Sequence, residues 1–206
     1  FKDSGSEVEK VRANSNITLD ASDSSGPDGE IKEYKWDFGD GIERTANESS
    51  TEYSWSAGGY YNVTLVVVDE NDETGEITKI LQVVPEDYSD EGQDGTFVAQ
   101  NSDENYNLDV EIFVSSVEVE FSEIGCVGVG GLDYSITVQD SSGNDIGSNQ
   151  GSIGCGGETA SWGSTFFDNE GDGLELGEYQ VTIAFTNSGT PVQANWDYRL
   201  AITYDF

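Results

Sequence analysis

Histidine and methionine are absent from this 206-residue chain, and cations nearly so: 8 Lys and Arg stand against 41 Asp and Glu. Without histidine the usual general base is missing, and with it Ser-His-Asp and Cys-His catalysis. The commonest zinc and copper ligand is missing too, and two cysteines alone make no plausible zinc site. So few cations cannot neutralise phosphates, which argues against nucleic acid and against an anionic membrane surface as partners. No run approaches the ~20 apolar residues of a membrane-spanning helix. No methionine stands at the start, so a chain beginning at Phe1 is expected to be processed or cut from something longer. Helical periodicity is almost absent.

What is there is charge of one sign. A net charge of −33 destabilises a compact chain in dilute buffer. In molar salt the Debye length falls to roughly 3 Å and the repulsion is screened. The acids are spread along every segment rather than gathered in a tail. This is the composition of a protein adapted to a halophile's medium, where an acidic surface preserves solubility.

Short alternating runs separated by Gly, Asn, Asp and Ser clusters predict strands. In the first half they are Ile17 to Asp20, Ile31 to Phe38, Tyr61 to Val68 and Ile77 to Val84, with Val63, Leu65 and Val67 on one face. Residues 85–95 are acidic and without apolar periodicity, and read as a self-repelling linker. A second set follows at Phe97 to Ala99, Leu108 to Val114, Val117 to Phe121, Tyr134 to Val138, Ser161 to Phe167, Tyr179 to Phe185 and Trp196 to Tyr204. The expectation is an all-β chain of two tandem β-sandwiches: residues 1–84, the linker 85–95, and residues 96–206 as a jelly-roll-like sandwich. Residues 86–206 hold 23 acids and only Arg199 as a cation, so salt bridges cannot organise the second module.

The segment Trp36-Asp37-Phe38-Gly39-Asp40-Gly41 resembles the signature of PKD domains. The upstream Leu19 to Gly29 and the downstream Ala57 to Asp69, with its Gly-Gly-Tyr-Tyr corner, agree with that family over residues 7–84. The resemblance implies an immunoglobulin-like sandwich serving as a spacer or interaction module of extracellular proteins, without catalysis of its own. The residues agree on physical grounds. Trp36 and Phe38 alternate into a core, Asp37 points out, and Gly39-Asp40-Gly41 makes a tight turn. A metal or catalytic role for Asp37 and Asp40 is the weaker alternative. Leu132 to Asn144 and Leu176 to Ile183 loosely resemble pre-peptidase C-terminal-type jelly rolls.

Cys126 and Cys155, an isolated pair, are expected to form one disulfide, the alternative being two buried thiols. The candidate metal is calcium. Asp168, Glu170 and Asp172 put oxygens at alternate positions before glycine, as at the start of an EF-hand loop. The twelfth position is Tyr179, so the bidentate acid is missing and Glu175 or Glu178 would have to substitute. Asp69 to Glu73 is a second acidic loop, read first as a solvated hairpin. Sequons at Asn16, Asn47 and Asn62 mark candidate glycosylation sites. Trp162, Phe166, Phe167 and Trp196 are candidates for a glycan platform, although strand alternation places most of them in the core.

These features point to a non-catalytic, extracellular structural protein. Its partners would be copies of itself or other surface proteins, in a filament, surface layer or virus particle. The alternatives are an accessory substrate- or calcium-binding region of a secreted hydrolase, and a carbohydrate-binding adhesin.

Overall fold

The computed structural model describes residues 2–3, 6–167, 174–187 and 189–206. Contacts divide the chain into residues 1–86 with Phe206, and residues 87–205. The described residues form strands and turns, with no helix.

The first unit contains β1 (Lys2–Asp3), β2 (Ser6–Glu7), β3 (Lys10–Arg12), β4 (Ile17–Asp20), β5 (Ile31–Asp37), β6 (Glu43–Ala46), β7 (Ser50–Tyr53), β8 (Gly59–Asp69) and β9 (Thr74–Val84). One sheet runs β2-β1-β4-β7 and the other β3-β9-β8-β5-β6. β8 and β9 form the long hairpin of the unit, antiparallel from Gly59↔Val83 to Val68↔Thr74. β3 lies parallel to β9. The alternation read in the sequence is realised: Val63, Leu65 and Val67 of β8 face Ile17, Leu19, Trp36 and Phe38 in one apolar core. The short β3, β6 and β7 carried too few apolar residues to announce themselves.

The second unit contains β10 (Tyr88–Val98), β11 (Asn101–Val110), β12 (Val114–Val127), β13 (Gly131–Gln139), β14 (Asp145–Gly154), β15 (Thr159–Phe167), β16 (Gly177–Thr186) and β17 (Val192–Tyr204). Its pairing is nested. β13 pairs with β14, β12 with β15, β11 with β16 and β10 with β17, all antiparallel. The eight strands are one long hairpin with its tip at β13–β14. Rolling that hairpin adds the β12–β17 and β13–β16 ladders and gives two four-stranded sheets, β10-β17-β12-β15 and β11-β16-β13-β14. This is the jelly-roll arrangement. Val117, Val119 and Phe121 from one sheet and Ile136, Val181 and Ile183 from the other are fully buried between them.

The linker expected at 85–95 is corrected: residues 88–98 are β10, bonded along their whole length to β17. The expected strand at Phe97 to Ala99 is only its end. Periodicity failed here because β10 is an edge strand, and the residues opposite Leu200, Tyr198 and Trp196 are Asp90, Gly92 and Asp94. Those two acids sit at the rim, where they need not be desolvated. Asp94 accepts a hydrogen bond from the Tyr106 hydroxyl at 2.6 Å, and that hydroxyl accepts one from Trp196 Nε1 at 2.9 Å. β14 was also missed, since between Ile146 and Ile153 it holds only Gly, Ser, Asn and Gln. Gly147 there is required by space, because a Cβ would stand 2.7 Å from Phe166 Cζ.

Cys126 and Cys155 are bonded, 29 residues apart. The bond ties the end of β12 to the turn between β14 and β15. In the chain-entropy account such a loop stabilises by about 3.5 kcal/mol. A Cys126→Ser/Cys155→Ser variant is expected to lose that much from the second unit, lowering its melting temperature by ~10 °C, read by calorimetry. An unchanged second-unit transition would contradict it.

Candidate functional site

The signature segment ends β5 and turns toward β6. Trp36 and Phe38 are buried, and Asp37 between them is exposed. Both carboxylates are occupied by the turn itself. Asp37 Oδ1 accepts from the Gly39 N–H at 2.8 Å, and Asp40 Oδ1 from the Ile42 N–H at 3.1 Å. Asp40 Oδ2 accepts the Tyr53 hydroxyl proton at 2.7 Å. Gly39 has φ +78°, and a Cβ on it would lie 2.8 Å from the Asn62 carbonyl oxygen, so only glycine fits. Phe38 stacks on Tyr53 with ring centroids 3.7 Å apart. Trp55 packs edge-on against both and donates Nε1–H to the Phe38 carbonyl at 3.0 Å. Tyr61 of the Gly-Tyr corner donates its hydroxyl proton to the Ala57 carbonyl at 2.9 Å. The arrangement builds a rigid corner in which both aspartates bond to the turn.

The acidic loop after β8 is the expected hairpin, with residues 70–73 exposed, but its first acid departs from that reading. Asp69 is fully buried. Its Oδ2 accepts from the Asp28 N–H at 2.9 Å, and its Oδ1 from the N–H groups of Asn71 and Glu73 at 2.9 and 3.0 Å. The Asp28 bond above all, with those of Glu73 and Asn71 and the charge of Lys32, holds the Asp69 carboxyl below its ordinary value against the opposing effect of burial. One side chain thus joins the loop before β5 to the β8–β9 turn. The signal was present: Asp69 continues the inward series Val63, Leu65, Val67 by one step. Asp140 plays a similar part between β13 and β14, its carboxyl held low first by the Asn144 side chain and then by backbone N–H groups.

Of the proposed calcium ligands, Asp168, Glu170 and Asp172 lie outside the described residues. Glu175 is exposed, and its Oε2 accepts from the Ser141 hydroxyl at 3.2 Å. Among the described residues no group of three or more His, Cys, Asp or Glu is disposed to hold a metal ion. Of the glycosylation candidates, Asn47 lies exposed between β6 and β7, Asn62 is exposed on β8, and the exposed Asn16 donates to Glu52 at 2.9 Å. Trp196 is a core residue, 1 % exposed. Trp162 and Phe166 are half-buried on β15.

One open cavity of about 290 Å³ in the first unit is lined by Leu19, Asp20, Trp36, Leu65, Ile77 and Lys79, among others. The Trp36 Nε1–H beside it is buried and has no hydrogen-bond partner among the described residues.

Residues 5–85 match the family model for the PKD domain. Collagenase ColA of Clostridium perfringens (strain 13 / Type A) is 40 % identical over 68 residues, which are 33 % of this chain and 6 % of that protein. The chain therefore matches only a small part of that relative's length. A carbohydrate-binding module of the β-sandwich superfamily overlays 92 % of both chains at 15 % identity, with a TM-score of 0.37. The VP2 subviral particle of infectious bursal disease virus overlays 92 % of this chain and 55 % of its own at 12 % identity, also with a TM-score of 0.37. Overlays this loose carry no argument about this chain.

Two pH effects follow from the first unit. Burial, and then the bond to Asp40, pushes the Tyr53 hydroxyl from 10.0 to about 12. Its neutral form is favoured by the fold, so this stabilisation is complete below pH 10 and is lost as pH rises toward 12. Tyr53→Phe should flatten that alkaline loss, measured as denaturant midpoint against pH; an unaltered profile would refute the assignment. Asp69 has the opposite sign. Its contribution is complete above the ordinary carboxyl value of 3.8 and is lost as pH falls through its depressed value. Asp69→Asn should lower the midpoint at neutral pH and weaken the acid dependence.

Proposed function

We propose, from the premise that residues 5–85 are a PKD domain, that the chain is a non-catalytic extracellular display protein of a halophile. It acts through protein–protein contacts, as a subunit or ectodomain of a filament, surface layer or virus particle. The observation that carries this reading is how the carboxylates are used. Asp37, Asp40, Asp69 and Asp140 all accept backbone N–H groups of their own turns. These four aspartates therefore serve as turn locks, while Glu70, Asp72, Glu91 and Glu104 are among the acids that dress the surface. A disulfide in the second unit supports an oxidising, extracellular setting. The acidic surface supports a medium of molar salt, where screening permits such chains to approach one another.

A second reading is favoured by the identity to part of a collagenase: an accessory region beside the catalytic domain of a secreted hydrolase. The two readings differ in what the isolated chain does. A display subunit should self-associate in molar salt as its concentration rises, seen as a growing weight-average mass in sedimentation velocity and as regular particles by negative-stain microscopy. A chain that stays monomeric at every concentration, or a gene that encodes a hydrolase domain in the same polypeptide, would overturn the display reading.

A further inference from the structure

The two sheets of the second unit expose four edges: β10 and β15 in one, β11 and β14 in the other. An open edge presents unpaired N–H and C=O groups that template another strand, and proteins commonly blunt such edges with charge. The β10 and β11 side is blunted in this way, by Asp90, Glu91 and Asp94 on one strand and Asp103, Glu104 and Asp109 on the other. The β14 and β15 side is not. Across β14 and β15, residues 145–167, the only charges are Asp145 at the start of β14, which accepts from Gln139 Nε2 at 2.8 Å, and Glu158, whose carboxylate is occupied by the Gly154 N–H at 2.8 Å. At the chain's 24 % charged content, about five charges would be expected in a stretch of that length.

The neutral zone continues beyond the strands. Residues 124–132 carry no charge, and within them Val127 and Val129 are 70 % and 79 % exposed. The Cys126–Cys155 bond pins that loop to the turn that joins β14 to β15. Gly125 pairs with Thr159 at the start of β15. Two exposed valines therefore lie at one end of an uncharged, open sheet edge, in a unit whose other faces are strongly anionic.

We infer that the outer edge of β15 docks a second copy of this chain, strand to strand and antiparallel, across a twofold axis near Gly163. This rests on the display reading above and names its contact. The occupant follows from charge. Copies that each carry −33 repel wherever acids face acids, and a neutral edge on a neutral edge is the approach that avoids this. A basic partner would be drawn to the anionic faces instead. About a twofold axis at Gly163, residues 159–167 oppose the same residues in reverse, with no charge on either strand. β15 suits pairing better than β14, because it is richer in Thr and aromatic residues while β14 carries Gly147, Gly151 and Gly154. One strand pair is smaller than the ~1,200 Å² of a standard interface, so the contact should be weak alone and strengthen with salt.

The test uses the full chain in molar salt, followed by sedimentation velocity over a concentration series. Ser161 and Thr165 lie on the exposed face of β15 and oppose each other across the proposed axis. Ser161→Asp/Thr165→Asp should weaken association at least tenfold. Asn101→Asp/Asn107→Asp, which adds the same charge on β11, should leave it unchanged. Ser161→Lys/Thr165→Asp sets Lys against Asp across the axis and should restore association, which a merely misfolded edge would not do. Far-UV circular dichroism and the absence of free thiol confirm the fold of each variant. Association that survives the two β15 aspartates, that falls equally in the β11 control, or that the Lys/Asp pair fails to restore, overturns the β15 contact and leaves the display reading standing. A wild-type chain that is monomeric throughout overturns both.

Discussion

Repulsion among 41 carboxylates, opposed by eight cations, is the constraint that the rest of this structure accommodates. Ion pairs cannot relieve it. The second unit has one cation, Arg199, and that is taken by Glu118 at 2.6 Å. The chain relieves it instead by turning carboxylates toward backbone N–H groups, which are uncharged donors present at every turn. A carboxylate bonded to several N–H groups is stabilised in its ionised form, so each such turn is locked by the charge that would otherwise be a liability. Asp69 is the fullest case, because it is buried and still has three N–H donors within 3.0 Å.

The same constraint shapes the two modules differently. In the PKD domain the acids at the sheet ends serve the aromatic corner of Phe38, Tyr53 and Trp55, where stacking and edge-on contacts fix the angle at which the chain leaves β5. In the jelly roll the strands are held by nested ladders and by apolar layers, and the acids concentrate on one pair of sheet edges. The opposite pair carries a single acid within its strands, Asp145 at the start of β14. Distribution of charge therefore marks which edges are guarded and which remain open to pairing, a distinction that net charge alone does not make.

Much of the fold was legible in the residues. β4, β5, β8, β9, β13, β16 and β17 announced themselves by alternation, because each is packed on one face and its inward residues had to be apolar. The corner at Trp36 to Gly41 was legible for a second reason: Gly39 and Gly41 are dictated by backbone angles that other residues rarely adopt. Two edge strands, β10 and β14, escaped notice, whereas the edge strand β15 was read at Ser161 to Phe167. β10 carries Asp90 and Asp94 at inward positions because a rim residue can turn its head to solvent, and β14 replaces apolar side chains with glycine so that Phe166 can lie across it. Asp69 escaped notice too, since a buried acid is read as a surface acid until its donors are seen.

By itself the sequence determined the class of strand-built modules, the PKD identity of the first, the cysteine pair and the charge. These depend on local periodicity, turn stereochemistry and composition, which one stretch of chain expresses alone. Only the tertiary structure decided that residues 88–98 belong to a sheet, that Asp69 is a buried tie between two loops, and that β14 and β15 each end a sheet as sparsely charged edge strands. Those facts depend on which distant strands come together. β10 finds its partner in β17 about a hundred residues later, and no local pattern encodes a pairing whose partner lies at the other end of the unit.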